Sequence, residues 1–313
     1  MKIQKMTLRV VSIGLLSAGL VLGVLMPRQS SAAEFNADSA WAYLVRQVEF
    51  GPRNPGSAAH RACKTYLVNT LRRFTPRVEE QSFMHYDAVN KKSFMLTNVI
   101  ARFQPENPDR ILLCAHWDTR PRADQERDPA KRNQPIPGAN DGASGVAVLL
   151  EIARLLAQTP VPVGVDIVLF DGEDYGREGH LEEYFLGSRF FVQNNTRFFP
   201  RYAILLDMVG DKQLQLPREG YSVRYAPDVV ERVWGLAQAL GYAEFENTVG
   251  YYVNDDHSVL NEAGIPAIDI IDFFYPDRSH RYWHTLEDTP DKCSPRSLKV
   301  VGDVVWQLLQ EGG

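Results

Sequence analysis

Apolar and polar positions along the chain follow two periodicities. Trp41, Leu44, Val45 and Val48 recur at helical spacing behind the cap candidates Asn36, Asp38 and Ser39. The Gly- and Pro-rich run 51–57 breaks that helix, and a second is expected over 58–74 with Ala62, Tyr66, Leu67 and Leu71 on one face. Two strand-like stretches follow, 78–84 and 94–103, separated by polar residues 87–92, and an antiparallel hairpin is expected. Beyond residue 110, short apolar runs alternate with amphipathic stretches. Strands are expected at 111–115, 166–170, 202–206 and 267–271, and helices at 145–157, from about 188, at 227–240 and at 295–310. This alternation predicts an α/β fold, a single-domain α/β/α sandwich with a mixed, mainly parallel central sheet. In such sheets ligands bind beyond the C-terminal strand ends, where this chain places His116-Trp-Asp118, Gly172-Glu173-Asp174 and Asp207.

The first 33 residues differ in composition from the rest. Lys2, Lys5 and Arg9 precede an uncharged apolar run over 10–26, and Ser and Ala surround position 33. This is the layout of a secretory signal, so export to the periplasm or outside is expected, with a catalytic domain over 34–313. If the segment is not removed it would be the chain's membrane attachment. Its removal takes four cations and no acid, moving the formal charge from -5 to -9. That balance argues against a nucleic-acid partner that relies on a basic surface. Cys63, Cys114 and Cys293 are odd in number; Cys114 reads as a core residue, and pairing of Cys63 with Cys293 is left open.

Each polar cluster has an ordinary explanation when taken alone. Asp141 opens a helix and, taken alone, reads first as an N-cap. The run Asp171-Gly-Glu173-Asp174 follows an apolar strand, and its like charges repel unless a cation or shared proton relieves them. Asp207 ends another strand; Asp255-Asp256-His257 and Tyr282-Trp283-His284-Thr285 add acids, histidines and aromatics. Carboxylate and imidazole donors together suit zinc. His60, His85, His180 and His280 are expected at the surface.

The order of these pieces resembles the zinc-peptidase superfamily of co-catalytic aminopeptidases. The segments carrying the likeness are His116-Trp-Asp118, Gly138-Ala-Asn-Asp141-Gly-Ala-Ser-Gly145, Asp171-Gly-Glu173-Asp174, Leu206-Asp207-Met-Val-Gly210 and His284-Thr285. Within that superfamily the chain resembles animal-type glutaminyl-peptide cyclotransferases, the glutaminyl cyclases, over about residues 36–311. Four features support this: Phe50-Gly-Pro-Arg-Asn-Pro-Gly-Ser57, Leu186-Gly-Ser-Arg189, the paired Asp255-Asp256-His257, and Trp283 before His284. The resemblance implies one zinc on Asp141, Asp174 and His284, with Glu173 as general acid/base beside Asp207 and Asp256. It implies a substrate pocket walled by Trp283 and by Tyr184 or Phe185, where the family carries a Trp. His116 is implied to be present but not a ligand. Asp174 stands where the animal enzymes have Glu.

The activity so implied is cyclisation of N-terminal glutamine to pyroglutamate, by a monomer acting on peptides or proteins. A two-zinc exo-aminopeptidase is the alternative, with His116, Asp141 and Asp207 on one zinc and Asp141, Asp174 and His284 on the other. A third reading, a non-catalytic binding ectodomain, is disfavoured because Glu173 and His284 are both present.

Overall fold

The structure, a computed structural model, describes Met1, residues 33–195 and residues 199–313; nearly all of the expected signal segment lies outside the described residues. The compact unit Ala33–Gly313 carries the fold. Its elements are α1 (Ala37–Glu49), α2 (Ala58–Arg72), β1 (Val78–Asp87), β2 (Lys92–Phe103), β3 (Arg110–His116), α3 (Ala143–Gln158), β4 (Gly164–Phe170), α4 (Leu186–Asn194), β5 (Ala203–Asp207), β6 (Leu216–Arg218), α5 (Gly220–Tyr225), α6 (Pro227–Ala239), β7 (Phe245–Val249), α7 (Asp256–Glu262), β8 (Ala267–Ile271) and α8 (Pro295–Gln310). The central sheet runs β1-β2-β4-β3-β5-β8. The strands β4, β3, β5 and β8 are mutually parallel, and the β1–β2 hairpin closes one side antiparallel to β4. The expected α/β architecture is therefore present. The two-stranded β6–β7 ribbon is an addition that the pattern did not announce.

The core strands read as unbroken apolar runs because both sheet faces are covered. Successive side chains alternate between them. Ile111, Leu113, Ile167, Leu169, Ile204, Leu206, Ile268 and Ile270 join the core that includes residues of α1, α2, α3, α6 and α8. Leu112, Cys114, Val168, Phe170, Ala203, Leu205 and Ala267 face Phe191 of α4 and Leu260 of α7. Each fully buried Val, Leu, Ile or Phe side chain among them is worth about 1.5–3 kcal/mol. Three helices are capped as their sequences suggest: Asn36, Ser57 and Ser294 accept from the backbone N–H groups of Ser39, His60 and Ser297.

Strand order creates the crevice. From β3 the chain crosses through α3 to β4 on one side, and from β4 it crosses back to β5 on the other. The C-terminal end of β3 is thus a switch point with acidic ends on both flanks. Gly145 lets α3 approach there, since a Cβ at that position would collide with the Leu206 carbonyl of β5. Cys63, Cys114 and Cys293 are all free and buried, which answers the pairing question left open by the sequence. Among the described residues no helix is long and apolar enough to cross a membrane.

Candidate metal centre and active site

The loop ends around β3 are tied down before any site residue is placed. Arg53, fully buried, donates to the carbonyls of Trp117 (3.3 Å), Pro137 (2.8 Å) and Gly138 (2.5 Å), so one guanidinium closes both ends of the long polar loop. Asp288 accepts the N–H groups of Asn140 (2.8 Å) and Asp141 (3.2 Å) and the Tyr275 hydroxyl (2.9 Å), fixing the backbone at the start of α3. Asp118 accepts the N–H groups of Glu173 (3.1 Å) and Asp174 (3.4 Å) and holds the acidic turn after β4. Gly142 follows Asp141 at φ +95°, a conformation L side chains rarely adopt, and α3 begins there without a side-chain cap. Asp141 is therefore free of the capping role its position suggested.

Two groups of donors meet across Asp141. One is Asp141, Asp174 and His284; the other is His116, Asp141 and Asp207. His284 Nε2 lies 3.4 Å from Asp174 Oδ1 and 3.6 Å from Asp141 Oδ2, and its Nδ1 lies 3.7 Å from Asp124 Oδ1. His116 Nε2 lies 3.1 Å from Asp207 Oδ1 and 3.2 Å from Asp141 Oδ1, and its Nδ1 lies 3.7 Å from Glu173 Oε2. His116 therefore stands between Glu173 and Asp207. Asp256 is fully buried one layer away, where Oδ1 accepts from the Ser188 hydroxyl at 2.5 Å.

Burial sets the proton balance. It pushes the Glu173 and Asp174 carboxyls well above the usual range, with neighbouring acids adding to the shift and His116, and for Asp174 also Arg120, opposing it. Burial raises Asp207 too, against its hydrogen bond with His116, and raises Asp256 to about 7. Burial together with the nearby Arg120 holds His284 well below an ordinary imidazole, so this ring is neutral and its nitrogen lone pair is available. For His116 burial disfavours the charged form, but hydrogen bonds to Asp118, Asp141 and Asp207 outweigh it and raise its pKa.

A cavity of about 480 Å³ opens over these groups. Tyr184, Phe185, Phe273 and Trp283 form apolar walls, and Glu173, Asp174 and His284 reach its floor. Trp283 stacks on His284 (centroids 3.8 Å apart, 24° between planes), and Phe273 meets Trp283 edge-on at 5.1 Å. Arg120 joins wall to floor: it donates to Asp174 Oδ1 (2.6 Å), Asp124 Oδ1 (2.8 Å) and the Tyr184 hydroxyl (2.9 Å). Arg120 and Asp288 were not singled out from the sequence as site residues, and Asp118 was singled out only as part of the His116-Trp-Asp118 cluster, without this role. The signal for Arg120 was its place in a polar loop directly after a buried strand; Asp288 had none.

The family model for peptidase family M28 matches residues 98–309, a span that contains every donor just described. The chain belongs to peptidase family M28. This M28 chain superposes on the crystal structure of Porphyromonas gingivalis glutaminyl cyclase with a TM-score of 0.85, at 42% identity, covering 90% of this chain and 100% of that one. A Zn-dependent exopeptidase from Parabacteroides distasonis aligns with the same TM-score at 40% identity, over 90% of this chain and 99% of that one. The aminopeptidase YwaD of Bacillus subtilis is 28% identical over 228 residues; the match takes in 68% of this chain but only 44% of that protein's length.

The donors of this M28 chain suit the zinc of such exopeptidases. Two carboxylates and one neutral imidazole offer the O and N atoms zinc takes, and three protein ligands leave a position open. Asp174 Oδ2 is buried without a hydrogen-bond partner, as an atom awaiting a cation would be. Asp124 Oδ1 lies 3.7 Å from His284 Nδ1, on the side where a carboxylate would orient a ligating imidazole.

A consequence for stability follows from the buried acids. Burial raises Asp288, with Asp141 adding, and Asp256 to about 7, against about 3.9 for Asp in an unfolded chain. The native state then binds more protons than the unfolded state between those values, so this contribution is full below about pH 4 and lost as pH rises through about 7. Metal-stripped protein should melt a few degrees higher near pH 5 than near pH 8. Zinc opposes the trend because its ligands bind deprotonated. Calorimetry with chelator at both pH values checks this, and a melting point that climbs with pH would mean these carboxyls are ionised in the fold.

Proposed function

We propose that this protein cyclises N-terminal glutamine of peptides to pyroglutamate, releasing ammonia, with one zinc held by Asp141, Asp174 and His284. The observation that carries this reading is one cavity in which Glu173, the Asp141–Asp174–His284 group and the Trp283 wall converge, in a chain 42% identical to a glutaminyl cyclase along 90% of its length. Bound zinc supplies Lewis-acid polarisation of the side-chain amide carbonyl. The substrate's own α-amine attacks the amide carbon; that C–N bond forms as the bond to the amide nitrogen breaks. Glu173 takes a proton from the amine and hands it to the departing nitrogen, which leaves as ammonia. Its raised pKa suits both halves of that transfer. Trp283, fixed against His284 and Phe273, flanks the methylene stem of the glutamine. Tyr184 and Phe185 close the opposite wall, and Asp207 acts on Glu173 through His116. Asp256 supports the same network from behind. Residues 1–33 serve as the export signal, and residues 34–313 as the catalytic domain.

The second triad gives the aminopeptidase reading its support, since His116, Asp141 and Asp207 also converge. One feature weighs against a second zinc there: His116 Nε2 is already engaged by two carboxylates, Asp207 at 3.1 Å and Asp141 at 3.2 Å. Mass spectrometry of a Gln-initiated peptide, with and without a chelator, separates the readings. The expected product is the peptide less ammonia, formed only without chelator, from protein carrying one zinc per chain. Release of free glutamine by protein with two zincs would establish the peptidase instead.

A further inference from the structure

Behind the acids of the catalytic cavity lies a second buried array that the chemistry above does not use. His257, fully buried, has Nε2 3.1 Å from Glu219 Oε2 and Nδ1 3.7 Å from Asp269 Oδ2. Both carboxyl groups are themselves fully buried. Glu219 is a hub: it accepts from Tyr221 N (2.9 Å), Ser222 N (2.6 Å), Ser222 Oγ (2.7 Å) and Val253 N (3.1 Å). Ser222 Oγ in turn accepts the Asp269 N–H at 2.9 Å, which ties the hub to β8. Neither carboxyl oxygen of Asp269 and neither ring nitrogen of His257 makes an aligned hydrogen bond, so the two buried groups face each other across 3.7 Å.

The array acts on a stretch of backbone that matters. Val253 N donates to Glu219 and His257 Nε2 lies 3.1 Å from its Oε2, so both ends of the stretch 253–257 abut one carboxylate. Asp255 and Asp256 lie inside it. Asp255 lines the catalytic cavity and caps α7, accepting the Asp256 N–H at 2.5 Å. Asp256 bonds Ser188 and leaves Oδ2 unpaired. Residues one apart in a helix differ in direction by about 100°, so turning His257 inward turns Asp256 outward to α4. With only seven residues, α7 has little orientation of its own to contribute.

We propose that His257 is a positioning residue for the cyclisation, bridging Glu219 and Asp269 so that Asp255 and Asp256 are held against the catalytic cavity. The inference rests on the cyclase reading. It is tested with His257→Leu, which keeps apolar bulk, and His257→Gln, which keeps a donor and an acceptor. His257→Leu should retain zinc and keep KM within about threefold, while kcat falls roughly 10–100-fold as for other supporting groups. His257→Gln should recover most of that loss. Rates are read below the onset of unfolding of each variant. If His257→Leu does not fold, Asp269→Asn replaces it and should show the same kcat loss at unchanged KM. Three kinetic or metal-content results on these variants would overturn the proposal, and a fourth comes from comparison with His284→Ala. The three are kcat within about threefold of wild type in the variant without the bridge, a parallel loss of zinc and activity, or no recovery in His257→Gln. A metal equivalent lost by His257→Leu yet retained by His284→Ala would also sink it, by making Asp255, His257 and Asp269 a cation site. Wild-type protein is assayed first: absence of pyroglutamate there fails the cyclase reading and takes this one with it, whereas active wild type with unaffected variants fails only the positioning role.

Discussion

Glu173→Gln should leave the protein folded and its zinc bound while turnover of Gln-initiated peptides falls by about 10²–10⁴-fold, the range a positioned general acid/base contributes. The substitution keeps the shape of the side chain and removes only its capacity to take and return a proton. Its backbone is held independently of its charge, since Glu173 N–H donates to Asp118 and its carbonyl accepts from Phe185 N–H at 3.0 Å. The neighbouring Asp174 should therefore stay in place. The contact from Glu173 Oε2 to His116, at 3.7 Å, is longer than a hydrogen bond, so the substitution breaks none there. Elemental analysis, thermal unfolding and a pyroglutamate assay on one preparation suffice. Retained turnover would remove Glu173 from the chemistry, and loss of zinc would place it among the ligands.

What the chain disclosed before folding was what local patterns encode. The parallel strands were visible because covered faces demand unbroken apolar runs, and the observed β3, β4, β5 and β8 begin and end within a residue or two of the expected limits. The hairpin was visible but underestimated: β1 and β2 continue to Asp87 and Lys92, pairing residues that the polar stretch seemed to assign to a loop. The short α5, α7 and β6–β7 ribbon were not visible, because they are short and, unlike the core strands, carry no unbroken apolar run to mark them.

The same limit governed the histidines. His60 was expected at the surface but is 3% exposed, stacked on Trp117 at 4.4 Å and bonded to Asp171 at 2.8 Å. Its partner lies 111 positions away, a distance over which no local pattern speaks. His180 is exposed as expected, while His85 and His280 are half-buried. The candidate ligands were legible only through their order along the chain, since Asp141 alone reads as a helix cap. The groups that support them without having been assigned a role from the sequence, Arg53, Arg120 and Asp288, exert their effect through contacts with distant backbone and side chains. Such groups are recognised only once the fold brings them together.

His284→Ala should abolish zinc retention and reduce cyclisation to the level of chelated wild type. Among the three expected ligands it is the only neutral one, and it alone comes from the segment after β8. Without it, two carboxylates from separate loops must hold the ion. The loss should exceed the roughly 10–100-fold typical of removing a supporting group. The change also takes away the ring on which Trp283 stacks, so KM for any residual activity should rise as well. His116→Ala is the informative partner. With one zinc on Asp141, Asp174 and His284, it should keep full metal content and lose activity only through the contacts from His116 to Glu173 and Asp207. Loss of half the metal in His116→Ala would instead mean a pair of ions sharing Asp141, and the peptidase reading would follow. Full zinc content in His284→Ala would rule out the ligand set altogether, because a site with three protein ligands cannot lose one and hold the ion as before.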